Sequence, residues 1–162
     1  MLDAYRLLEG PPPLVLAGRS SPGVEWQLPD GVQWVGELPH DQVLRLFRSA
    51  RAVVVPSVWS DPCPTVVLEA MAAGRPVVAA ASGGIVDMVV DGVTGLLVAP
   101  GDVSALAQAI SSVLRDPRAA QAFGAAGRNR AREFTASAVV ERIERLYASA
   151  IAETKVEVSG VG

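Results

Sequence analysis

Between Leu14 and Val98 the chain alternates between two kinds of stretch, and this alternation limits its possible folds more than any other feature. Short aliphatic runs, "LVLAG" (Leu14 to Gly18), "AVVVPS" (Ala52 to Ser57), "PVVAA" (Pro76 to Ala80) and "GLLV" (Gly95 to Val98), are bounded by glycine or proline. Runs without polar alternation suit strands covered on both faces. "VQWVGEL" (Val32 to Leu38) reads as a further strand. Segments with helical spacing lie between them: Pro39 to Ala50, with Val43, Leu44, Phe47 and Ala50 on one face, Pro64 to Gly74, and Ile85 to Val90. Strand following helix following strand predicts a parallel sheet with right-handed crossovers, a Rossmann-like, doubly wound α/β architecture. Leu2 to Leu8 is helical before the first strand. After Asp102 the signal is helical throughout: Val103 to Leu114, Arg118 to Glu133 and Ser137 to Glu153. Asp102 and Thr135 are the expected N-caps, Pro117 starts a helix, and the tail "KVEVSGVG" is expected to fray.

With 162 residues the chain has the size of one domain, able to bury roughly 70% of its unfolded surface. Half of it is hydrophobic and 19% charged, which excludes disorder. A net charge of −3, scattered arginines and a single lysine, Lys155, argue against nucleic acid as a partner. One cysteine, Cys63, permits neither an internal disulfide nor a zinc cluster. No apolar run has transmembrane length and the start carries no leader pattern, so a cytoplasmic protein without an integral membrane segment is expected.

In doubly wound sheets ligands bind beyond the carboxyl ends of the strands. "VGEL", "PSVWSDP" and "AASGGIVD" each follow a strand and so share one rim. Glu69, inside "TVVLEAMAAG", has no basic residue at helical spacing to pair with. Either it is a solvated carboxylate, or it accepts two hydrogen bonds from the vicinal hydroxyls of a ligand. Asp61 precedes Pro62 and Pro64. It reads as a turn or cap residue, or as a second ligand-facing acid. The helix that follows offers free N–H groups at Thr65 and Val66 to an anion. An anionic centre between hydroxyl-rich ends is the layout of a nucleoside diphosphate sugar. The Ser82-Gly83-Gly84 loop lets backbone come close to a ligand.

The run "PSVWSDPCPTVVLEAMAAGRPVVAAASGGIVDMVVDGVTGLLVAPGD" resembles the C-terminal, donor-binding domain of the group 1 retaining glycosyltransferases, which have the two-domain GT-B fold. The resemblance extends from Leu14 to Asp102. That family's signature is a pair of glutamates separated by seven residues, and here Asp61 and Glu69 take those places. The resemblance implies that Glu69 binds the ribose 2′- and 3′-hydroxyls and that Asp61 lies near the donor sugar. It further implies that Cys63, Pro64, Thr65 and Val66 contact sugar and diphosphate. Gly36, Glu37 and Leu38 would border the base, while Ser82, Gly83 and Gly84 would line the cleft. The implied donor is a nucleoside diphosphate sugar such as a UDP-sugar, with no cofactor and no metal.

The chain departs from the family in two ways. Asp61 reaches about 1.5 Å less far than glutamate. The arginine and lysine that neutralise the diphosphate in the family belong to a strand-loop upstream of this chain, as does the acceptor domain; Arg19 and His40 do not replace them. His40 reads as an exposed first residue of a helix, and Cys63 as a small packing residue rather than a nucleophile. The expected protein is one donor-binding domain over residues 1–162, half of a GT-B fold, inert or nearly so by itself. A binding module, or one subunit of a split transferase, is the alternative; a nucleotide-sugar epimerase fragment is a third. An open sheet edge where the upstream strand would lie favours docking of an acceptor domain or self-association.

Overall fold

The computed structural model describes residues 1–20 and 27–159, with side chains through residue 151. Most of the Ser-, Pro- and Gly-rich loop expected after the first strand, and the last three residues of the tail, lie outside the described residues. The order of elements is α1 (Leu2–Arg6), β1 (Leu14–Leu16), β2 (Val32–Trp34), α2 (His40–Ser49), β3 (Val53–Val55), α3 (Thr65–Ala72), β4 (Val77–Ala80), α4 (Ile85–Met88), β5 (Gly95–Val98), α5 (Val103–Arg115), α6 (Pro117–Ala131), a 3₁₀ turn (Arg132–Phe134) and α7 (Ala136–Ser159). α7 extends beyond the Glu153 end expected from its sequence.

Every strand pair is parallel. β4 shows why the apolar runs lack alternation. All four of its residues are buried; Val77 and Ala79 pack into one core, with Phe47, Val67, Met71 and Ile85, and Val78 into the other, with Leu106 and Ile110. Each face of the strand is covered by helices, so neither can be polar. This is the doubly wound arrangement.

The strands do not form one continuous sheet. β1 pairs with β2, and β3, β4 and β5 form a second sheet in that order, with no ladder between β1 and β3. The expected single sheet is thus split in its middle. A cavity of ≈ 770 Å³ occupies the split.

Helix starts follow the sequence signals. The Asp102 carboxylate accepts from Ala105 N–H at 2.8 Å, and Thr135 Oγ1 from Ala138 N–H at 3.4 Å. Asp116, which the sequence reading passed over, accepts from Arg118 and Ala119 N–H at 3.0 Å, with Pro117 as first helical residue. The scattered arginines have a shared task at the other helix ends. Arg75 donates to Arg48 O at the end of α2, Arg128 to Ala73 O after α3, Arg130 to Asp87 and Met88 O in α4, and Arg51 to Leu114 O in α5. A guanidinium there satisfies carbonyls that the helix leaves unpaired and meets the negative end of its dipole.

Candidate functional site

The loops after β3 and β4 form one assembly, held by a backbone–backbone and a side-chain–backbone hydrogen bond. Gly84 N–H donates to Asp61 O at 2.8 Å, and Ser82 Oγ donates to Trp59 O, also at 2.8 Å. Gly83 has φ 53°. A Cβ at Gly83 would run into the Asp61 backbone, and one at Gly84 into the Pro62 carbonyl. The two glycines therefore bring the 82–84 loop against the 59–63 loop, an approach no side chain permits. This close neighbour is protein.

Asp61 sits half-buried in this assembly. Its Oδ1 accepts from Cys63 N–H at 2.9 Å, two residues on. That is an Asx turn, and it shapes the entry to α3. The turn reading of Asp61 is thus realised in the described structure, with the other carboxylate oxygen left over. Cys63 is exposed, which corrects its reading as a packing residue. Pro64 is buried and caps α3 without a side-chain bond. Val67 N–H reaches Pro64 O at 3.0 Å, and the N–H groups of Thr65 and Val66 have no hydrogen-bond partner among the described residues.

Glu69 lies one turn further along α3. Its neighbours Val67, Ala70 and Met71 are buried, while Glu69 itself is intermediate. Among the described residues it has no ion pair and no side-chain hydrogen bond. A carboxylate partly withdrawn from water without a partner keeps its acceptor capacity for something else.

The third predicted piece, Gly36 to Leu38, follows β2. Gly36 O accepts from Gly18 N–H at 2.8 Å, which ties this loop to the end of β1. Glu37 is exposed and held by Arg19 in a two-pronged pair, Nε to Oε2 at 2.7 Å and Nη2 to Oε1 at 2.9 Å. The hydrogen bond from Arg19 holds the Glu37 carboxyl below its ordinary value, and the same bond raises Arg19. Sequence reasoning set Arg19 aside, and only spatial pairing reveals that its charge is engaged at this rim. His40 is, as expected, the exposed first residue of α2.

Of the predicted residues, Glu37, Leu38 and Val66 line the ≈ 770 Å³ cavity; Asp61, Cys63, Glu69 and Ser82 to Gly84 do not. Hydrogen bonds join the 59–63 and 82–84 loops to each other, and the 36–38 loop to β1 instead. Among the described residues no group of three or more His, Cys, Asp or Glu is placed to hold a metal ion.

Comparison with known proteins settles the family. The model of the group 1 glycosyl transferases matches residues 24–130. The chain belongs to this family. Glycogen synthase of Mycobacterium tuberculosis is 46% identical over 98 residues, covering 60% of this chain and 23% of that protein. Among solved structures, sucrose-phosphate synthase from Thermosynechococcus elongatus superposes with a TM-score of 0.73 at 35% identity, over 86% of this group 1 chain and 39% of the other. HepE of Anabaena, solved with UDP and glucose, gives a TM-score of 0.78 at 25% identity, over 91% and 43%. The chain thus spans less than half the length of each. The matched region includes the assembled loops and α3, and no helix is long and apolar enough to cross a membrane among the described residues.

Proposed function

We propose that this chain is the nucleotide-sugar-binding half of a retaining glycosyltransferase, with the donor seated at the carboxyl ends of the strands. The observation that carries the reading is Glu69, a partly withdrawn carboxylate without a partner, one turn beyond the free N–H groups of α3 in a group 1 chain. In this reading Glu69 accepts hydrogen bonds from the ribose diol and the start of α3 meets the diphosphate. The rim Cys63 to Val66 and Ser82 to Gly84 frames the donor sugar, and Gly36 to Leu38 the base. Asp61, committed through Oδ1 to Cys63 N–H, uses its other oxygen near the sugar. The site works through positioned N–H donors, with no metal and no cofactor. HepE, a structural relative, was solved with UDP and glucose, which supports a UDP-sugar as the donor type.

Arg19 at the same rim is already paired with Glu37, so it does not supply a free charge for the departing diphosphate. Removing one such stabilising donor costs about 3 kcal/mol in other enzymes, so the isolated chain is expected to transfer no sugar unaided. The same fact favours the alternative of a binding module or split-transferase subunit. Calorimetric titration with a panel of nucleoside diphosphates tests the site: wild type binds at least one, and Glu69→Ala weakens it by about tenfold or more, the loss of a charged hydrogen bond. Absence of binding by wild type overturns the donor site, and equal binding by both proteins removes Glu69 from it. Transfer to any acceptor at ordinary enzymatic rates overturns the inertness.

A further inference from the structure

Helix α4 is a single turn of four residues, too short to offset the cost of fixing a first turn, so contacts from elsewhere hold it. Ile85, Met88 and Val89 are buried in the core against which Phe134 also packs. At the other end of the turn stands Arg130 of α6, its side chain 27% exposed. Its Nε donates to Met88 O at 2.7 Å and its Nη2 to Asp87 O, while Nη1 meets the Glu133 carboxylate at 3.5 Å. The guanidinium carbon sits over the Phe134 ring, 5.7 Å from its centroid. All three nitrogens are engaged. Among the described residues Arg51, Arg75 and Arg128 each donate to one carbonyl at a helix end, and Arg130 donates to two.

The beginning of α4 belongs to the rim. Ile85 N–H donates to Ser82 O and Asp87 N–H to Gly84 O, both at 3.2 Å; Gly84 N–H in turn donates to Asp61 O, and Asp61 Oδ1 accepts from Cys63 N–H. We infer, resting on the donor reading above, that Arg130 is a positioning residue of the sugar side of the site: by holding the last carbonyls of α4 it fixes the Ser82–Gly84 loop against the Asp61 loop. One donor fixes a point, whereas a planar fork on two successive carbonyls also fixes the rotation of the turn. That rotation matters here because no side chain interlocks at Gly83 or Gly84, where a Cβ would collide with the facing loop. The alignment of the seam therefore depends on what holds α4. Glu69 stands apart from this dependence, since α3 is anchored in the core by Val67, Ala70 and Met71. Loss of Arg130 thus disturbs the part of the rim that frames the sugar and spares the part that meets the ribose.

The test compares UDP with UDP-glucose in calorimetric titrations of the full chain, alongside amide hydrogen exchange read by NMR. Arg130→Met keeps the aliphatic stem and removes the donors. It should weaken UDP-glucose relative to UDP by about tenfold, the worth of one hydrogen bond to a charged group. Exchange at Gly84 and Asp87 should quicken by about tenfold or more while Val78 in β4 keeps its wild-type rate. Arg130→Lys, which retains the charge without the fork, should fall between wild type and Arg130→Met in both readings, and it serves alone where Arg130→Met does not fold. Arg51→Met, which removes a cap from the end of α5, should change neither reading. An unchanged ratio of the two affinities overturns the inference, as does faster exchange at Val78 to the same degree as at Gly84, which would make the effect global. Wild type binding neither ligand defeats the donor reading, and exchange then decides whether Arg130 fixes the rim: wild-type rates at Gly84 and Asp87 in the variant overturn it.

Discussion

At the residue scale, Asp61 and Glu69 look alike in the sequence and differ in the structure. Both are acids without a basic neighbour, but the Asp61 carboxylate closes a turn on Cys63 N–H, whereas the Glu69 carboxylate has no hydrogen-bond partner among the described residues. Asp61→Ala is therefore expected to destabilise the fold by about 1 kcal/mol through loss of the turn, measurable as a lower urea midpoint. Glu69→Ala should leave that midpoint within about 0.5 kcal/mol of wild type. Equal midpoint shifts in the two variants would contradict this division. Glu37 carries a pH dependence of known sign. Its carboxyl is depressed by the hydrogen bond from Arg19, so the pair's contribution is present in full above the ordinary glutamate value of about 4.3 and is lost as the pH falls through the lower folded value. Chemical-shift titration of Glu37 should show the depression, and Arg19→Met should abolish it. Both side chains are exposed, so the effect on global stability is small.

At the scale of elements, two glycines of α6 give opposite predictions. Helix propensity alone favours alanine over glycine by about 1 kcal/mol at both Gly124 and Gly127. Gly124 faces the Gly74 carbonyl so closely that a Cβ would collide with it, whereas a Cβ at Gly127 would meet Met71 Cγ and Thr94 O at 3.5 Å, ordinary contact. Gly127→Ala should raise stability by about 0.5–1 kcal/mol, and Gly124→Ala should lower it by about 1–3 kcal/mol, both read from urea melts. The elements themselves were legible: apolar runs placed the strands, and Asp102 and Thr135 marked helix starts. What the one-dimensional pattern did not carry were pairings distant in sequence. The arginine caps join residues such as Arg51 and Leu114, and no local spacing signals them. The contact of Gly83 and Gly84 with a loop about twenty residues back was unreadable for the same reason.

For the whole molecule, the doubly wound order was readable because every apolar run lacked a polar face. The split between β1 and β3 was not, because a strand's sequence says that both of its edges must be paired and not by what. The β1–β2 ribbon is attached without a ladder to the other sheet, and a two-stranded ribbon is marginal by itself. Native-state hydrogen exchange should show β1 and β2 opening at lower free energy than β4, whose residues are buried from both sides. Equal opening energies would show that helix packing alone makes the two sheets one cooperative unit.

The glycine seam between the two rim loops also bears on how such a site can diversify. Contact there is main chain to main chain, so Gly83 and Gly84 admit no substitution without moving the loops. Beside the seam, Val58 and Trp59 are 63% and 66% exposed. Their side chains can be exchanged without disturbing the joint, because Trp59 takes part in it through its carbonyl. The rim thus has a fixed chassis with interchangeable fittings. Saturation mutagenesis should find positions 58 and 59 permissive for folding, and positions 83 and 84 intolerant.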